Sequence, residues 1–183
     1  MRKLLVLTIV VVAALIVVAP RFRQWSTDRA EGRVGSAGLR LAVLQRKFVG
    51  ATSAADSDEV KCVVMDWNLG GETVATLVAF ADGTTSLYLT SGGGILGAGS
   101  HENVREAAAR FRALAADRAD QFSTTADFDP PASGKTRFFI ITGTKTLATQ
   151  AQRNGQLLNQ YNVLKPLAEA AQATISEIRQ RQR

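Results

Sequence analysis

Hydrophobic positions are spread unevenly along the chain. Leu4–Ala19 (LLVLTIVVVAALIVVA) is an uncharged, almost wholly apolar run. At ~1.5 Å per residue such a helix spans about 24 Å, slightly short of the ~30 Å hydrocarbon core of a bilayer. Lys3 and Arg21 flank it and can snorkel, and Phe22 and Trp25 stand where interfacial aromatics lie. The pattern predicts an N-terminal transmembrane helix within 1–20. A cleaved signal peptide starts in the same way, but here Pro20 would follow the cut, which disfavours cleavage.

Residues 21–59 are polar and basic and read as a linker. Within it, Leu39, Ala42, Val43, Leu44 and Phe48 alternate with Arg40, Arg46 and Lys47, which suggests a short amphipathic helix on the membrane or on the domain. Ala51–Glu59 is small and acidic, a second joint.

From Val60 the periods change. Val60–Trp67 is apolar on both faces, as in a central strand. Thr73–Phe80 and Thr84–Thr90 follow, joined at Asp82-Gly83 by a hairpin of type I′ character. Ser91–Gly99 is too rich in glycine for regular structure. A helix runs from about Glu102 to Ala119, with Ser100 as its cap and Val104, Ala107, Ala108, Phe111, Leu114 and Ala115 as its stripe. Arg137–Thr142 and Lys145–Gln150 read as two further strands. Leu164, Leu167, Ala168, Ala171, Ile175 and Ile178 mark a last helix, with Pro166 in its first turn. The order β-β-β-α-β-β-α predicts an α+β fold: a two-layer domain, residues 60–183, with an antiparallel sheet of about five strands.

Charge locates the excess. The chain carries +6 overall, and Arg21, Arg23, Arg29, Arg33, Arg40, Arg46 and Lys47 precede residue 50 against Asp28 and Glu31. Beside a bilayer each cation gains ~1 kcal/mol from anionic headgroups. The basic stretch offers no stacking platform, so no nucleic acid is expected. Its balance against Arg2 and Lys3 leans the C-terminal domain toward the cytoplasm, with a periplasmic or signal-cleaved, secreted domain as the alternatives. Cys62 is the only cysteine, which rules out an intrachain disulfide and a cysteine zinc centre. No metal and no cofactor are expected.

The candidate site residues are Gly92, Gly93, Gly94, Gly97, Gly99, Ser100 and His101. Gly92-x-Gly94-x-x-Gly97 has the dinucleotide spacing, but it follows an antiparallel hairpin and ends well before the helix. Anion binding by loop amides is the looser reading. Ser133-Gly134-Lys135-Thr136 copies the end of a phosphate loop but lacks the first glycine and leads into a strand. Cys62 reads as a small core residue rather than as a nucleophile paired with His101. Asp66, at a strand end, reads as a partly buried carboxylate bonding the neighbouring turn.

The segment Ala81–Tyr88 (ADGTTSLY), with Gly92–Gly94, Gly97, Gly99, His101 and Val104-Arg105, resembles an uncharacterised small bacterial protein family. The resemblance covers Val60 to about Arg179 and implies no activity. More distantly, a five-stranded sheet with helices is similar to the profilin and roadblock scaffolds, which bind partners. The expectation is a single-pass bacterial inner-membrane protein, anchored in lipid through residues 4–19. Its domain would be a non-enzymatic binding or scaffold module for an unidentified protein partner. The alternative is an anion or small-ligand sensor, or an enzyme, using the Gly92–His101 loop.

Overall fold

A computed structural model of the chain describes residues 35–48 and 57–181. The expected membrane run Leu4–Ala19 lies outside the described residues. Among those described, no helix is long and apolar enough to cross a membrane.

The fold is α+β with an antiparallel sheet. A nine-residue helix, α1 (Ser36–Leu44), precedes three long strands, β1 (Val60–Gly70), β2 (Thr73–Phe80) and β3 (Thr85–Leu89). A two-residue edge strand β4 (Gly94–Ile95) leads to helix α2 (Glu102–Ala116). Then come β5 (Ser123–Thr124), β6 (Lys135–Thr142), β7 (Thr146–Ala148), β8 (Gln152–Arg153), a single turn α3 (Asn154–Leu157) and the closing helix α4 (Lys165–Gln180). Among the described residues the sheet has eight strands rather than about five, in the order β4-β3-β2-β1-β6-β7-β5, with β8 pairing β6. The three extra strands are two residues each and arise from edge pairing, which leaves no periodic trace in the sequence.

Alternation along the strands sorts the sheet into two faces. Val63, Met65, Leu77, Ala79, Phe138 and Ile140 belong to the first. There α2 buries Val104, Ala108, Phe111 and Ala115, and α4 buries Leu167, Ala168, Ala171, Ile175 and Ile178. The Phe111 and Phe138 rings meet with centroids 6.3 Å apart, tilted by 56°. Both predicted stripes thus face the core.

The second face carries Cys62, Val64, Val78, Tyr88, Phe139, Ile141 and Ala148, and onto it fold Val43 and Leu44 of α1. The domain therefore begins before Val60: part of the expected linker is core, and the sheet is covered on both sides rather than on one. At its end α1 is tied to the β6–β7 hairpin. Thr146 Oγ1 donates to the Leu44 carbonyl at 2.9 Å, and Arg46, the only described non-glycine residue with positive φ, donates to the Gly143 carbonyl at 3.0 Å.

The β2–β3 hairpin forms, with a different turn. Gly83 N–H donates to the Phe80 carbonyl, Gly83 alone adopts positive φ (89°), and Asp82 Oδ1 accepts from Thr84 N–H at 2.8 Å. This is a three-residue loop ending in a left-handed glycine rather than a type I′ turn. Ser100 does not cap α2 either: His101 holds the cap position, with no side-chain hydrogen bond to the helix.

Candidate functional site

Cross-strand register builds an unusual line on the second face. Tyr88 stands opposite Thr76, Thr76 opposite Asp66, and Asp66 opposite Arg137. Residues directly opposite share a face, so four polar side chains cross the sheet in one row beside rows of Val, Phe and Ile.

Asp66 is fully buried. Arg40 reaches it from α1: Nε donates to Oδ2 at 2.8 Å, and Nη2 stands 2.7 Å from the same oxygen without hydrogen-bond alignment. Thr76 Oγ1 donates to Oδ1 at 2.7 Å, and Arg40 Nη1 donates to the Phe128 carbonyl at 2.7 Å. Every carboxylate oxygen is thus engaged, as a buried charge requires. The Phe139 ring lies beneath two cations, 5.1 Å from the guanidinium of Arg137 in the row and 6.0 Å from that of Arg40 on α1. Arg137 continues outward to Asp127 at 2.8 Å, and the Asp129 backbone N–H, together with that bond, holds the Asp127 carboxyl below its ordinary range.

Tyr88 is the exception in the row. Its hydroxyl is buried and has no hydrogen-bond partner among the described residues. Burial, with Cys62 and Asp66 nearby, pushes its pKa well up, so it stays a neutral phenol.

α1 covers only part of this face. Toward the β2–β3 edge it leaves a cavity of about 230 Å³. Leu39, Val43 and Phe48 wall it from the α1 side, and Val78 and Phe80 form its floor. Ser86 and Tyr88 of β3 and the following Leu96 close the far side, while Asp82 and Thr84 stand exposed at the rim. Ser86 is buried, and its Oγ accepts from the Gly97 N–H at 3.3 Å.

The glycine loop is built otherwise. Gly92, Gly93, Gly94 and Gly97 are exposed in the β3–β4 hairpin and the short turn after it, as are Ser100 and His101 at the mouth of α2. A Cβ on Gly92, Gly93 or Gly97 would meet nothing within 4 Å, so these glycines form no cradle. Gly94 and Gly99 are the packed ones: a Cβ would run into the Leu87 carbonyl oxygen at Gly94 and into the Gly83 carbonyl oxygen at Gly99. Of this segment only Leu96 reaches the cavity.

The other sequence candidates fall apart spatially. Cys62 lies buried on the second face, its Sγ 3.7 Å from the Val63 carbonyl, and burial pushes its thiol pKa well up. No contact joins it to His101. Arg40 is a buried partner of Asp66 rather than a surface cation, Arg46 is half-buried, and Lys47 is exposed. Arg21, Arg23, Arg29 and Arg33 lie outside the described residues. Among those described, no group of acidic, histidine or cysteine side chains is placed to hold a metal. Asp66 bonds α1 and Thr76 rather than its own turn. One sequence signal did point there: Arg40, Val43 and Leu44 sit at i, i+3 and i+4, one side of a helix.

No protein-family model, no curated protein and no solved structure matches the chain.

Proposed function

We propose that this protein is a membrane-tethered, non-enzymatic binding module that takes a small molecule in the cavity between α1 and the β2–β3 half of the sheet. The cavity carries the reading: it is concave, apolar-walled and edged by a few hydroxyls, the usual make-up of a small-molecule site. Asp82 and Tyr88 are its titratable lining groups; they do not make a nucleophile–base pair, which favours binding over catalysis. The glycine loop gives way to the cavity as the contact surface.

The tether is the run Leu4–Ala19, held in a bacterial inner membrane with the domain on the cytoplasmic side. α1 follows that run in sequence and supplies one wall of the site.

A thermal-shift screen of small organic molecules on the full chain in lipid nanodiscs tests the reading. Binders raise the Tm of wild type and of His101→Ala, and lose their effect in Leu39→Trp, whose ring fills the cavity from its half-exposed wall. Binders that survive Leu39→Trp but not His101→Ala would return the site to the glycine loop. Retention of the full chain in the membrane after a carbonate wash tests the tether, and release into the aqueous fraction contradicts it.

A further inference from the structure

We infer that the cavity takes an uncharged molecule of single-ring size with one hydrogen-bond acceptor, and that the Ser86 hydroxyl is the group that meets it. The inference rests on the cavity reading above and narrows its ligand class.

Size comes first. An apolar cavity of ~150 Å³ is enough for benzene. At about 230 Å³ this one has room to bury a ring and a short substituent.

Charge comes next. Among the described residues no cationic side chain lines the cavity, and its one charged lining group, Asp82, is acidic. A bound anion would leave water to face apolar walls and a like charge, which is costly. A cation gains little more. Asp82 is exposed, so solvent screens it, and Arg112 of α2 lies within its electrostatic reach and offsets it. A neutral ligand avoids both penalties.

The polar handle is the third element. A serine hydroxyl has one proton to donate besides its lone pairs. Ser86 Oγ accepts from the Gly97 N–H, and among the described residues its own proton goes to no acceptor. It is buried in a wall shared with Leu96 and with Tyr88, whose hydroxyl is likewise buried without a partner among the described residues, and an unmade hydrogen bond matters most where water is excluded. Ser86 is the one already oriented, by the Gly97 N–H. A carbonyl or ether oxygen on the ligand completes it.

Three probes of matched ring separate these terms: toluene, acetophenone and benzoate, titrated calorimetrically into the full chain in nanodiscs, with empty discs subtracted for partitioning. Acetophenone is expected to bind about three- to tenfold tighter than toluene, and benzoate at least roughly tenfold weaker than acetophenone. Ser86→Ala is expected to bind toluene as wild type does and to erase the acetophenone advantage. Equal affinity for toluene and acetophenone in wild type overturns the inference, and so does an advantage that persists in Ser86→Ala. Benzoate as the tightest probe overturns it too. Should Ser86→Ala fail to fold, the wild-type ranking decides alone. If no probe binds, the cavity reading itself fails, a result distinct from binding without discrimination.

Discussion

On its first face the sheet meets two long helices through Val63, Met65, Leu77, Phe138 and Ile140, and among the described residues no ion pair is buried there. On its second face it meets the nine residues of α1 through Val43, Leu44 and a buried guanidinium. The first face is closed by apolar area. The second is closed at one end by an ion pair and left open at the other as a cavity. An isolated helix needs ~12–15 residues to hold in water, so α1 exists because the sheet holds it. Its anchor is directional: a buried ion pair adds little stability over a well-packed apolar substitute, but it allows Arg40 one position. The lesson is a division of labour. The first face supplies stability, and the second spends part of its packing on polar groups and empty space, the place proposed here for a ligand.

The comparison can be broken most forcefully by single truncations on each side. Phe111→Ala opens a cavity on the first face and should cost about 3–5 kcal/mol in urea unfolding. Arg40→Ala should cost a similar amount on the second, about 3–5 kcal/mol, because it strands the Asp66 carboxylate in the core. The two differ in rescue. Adding Asp66→Leu and Thr76→Val to Arg40→Met removes the whole polar set and should restore most of the stability. If that triple variant is as unstable as Arg40→Ala, the pair is not what distinguishes the faces.

A smaller effect is expected at the seam between the β2–β3 hairpin and the glycine segment. Gly99→Ala forces its methyl against the Gly83 carbonyl and should cost about 1–3 kcal/mol. A Tm equal to wild type would show that the seam yields freely. Tyr88→Phe is expected to leave stability unchanged or raise it by up to about 1 kcal/mol, since the hydroxyl it deletes is buried without a partner. A clear loss would mean that hydroxyl has a bond of its own. Least affected is His101→Ala, exposed and uncapping, which should stay within about 0.5 kcal/mol of wild type.

Much of the first face was legible in the residues. Spacings of three and four put Leu164, Leu167, Ala168, Ala171, Ile175 and Ile178 on one stripe, and all six are buried. Thr73–Phe80 is a strand over the bounds its pattern suggests. The second face was harder to read for a physical reason. Its decisive contact joins Arg40 to Asp66 across 26 residues, and nothing local to either residue announces the other. Arg40 sits in a stretch whose basic neighbours suit a lipid surface, and only its i, i+3, i+4 relation to Val43 and Leu44 betrays an inward turn. The glycine segment misled in the opposite sense. Its spacing imitates a dinucleotide-binding loop, whereas its glycines satisfy turn geometry and the close approaches of Gly94 to Leu87 and of Gly99 to Gly83.

The most direct test places ligand and face in one experiment: a methyl-resolved NMR titration of the full chain in nanodiscs with acetophenone. The account predicts saturable shifts at Leu39, Val43, Val78 and Leu96, with Leu77, Leu167 and Ile178 unmoved. Shifts centred on those first-face methyls, or shifts that never saturate at any methyl, would contradict it.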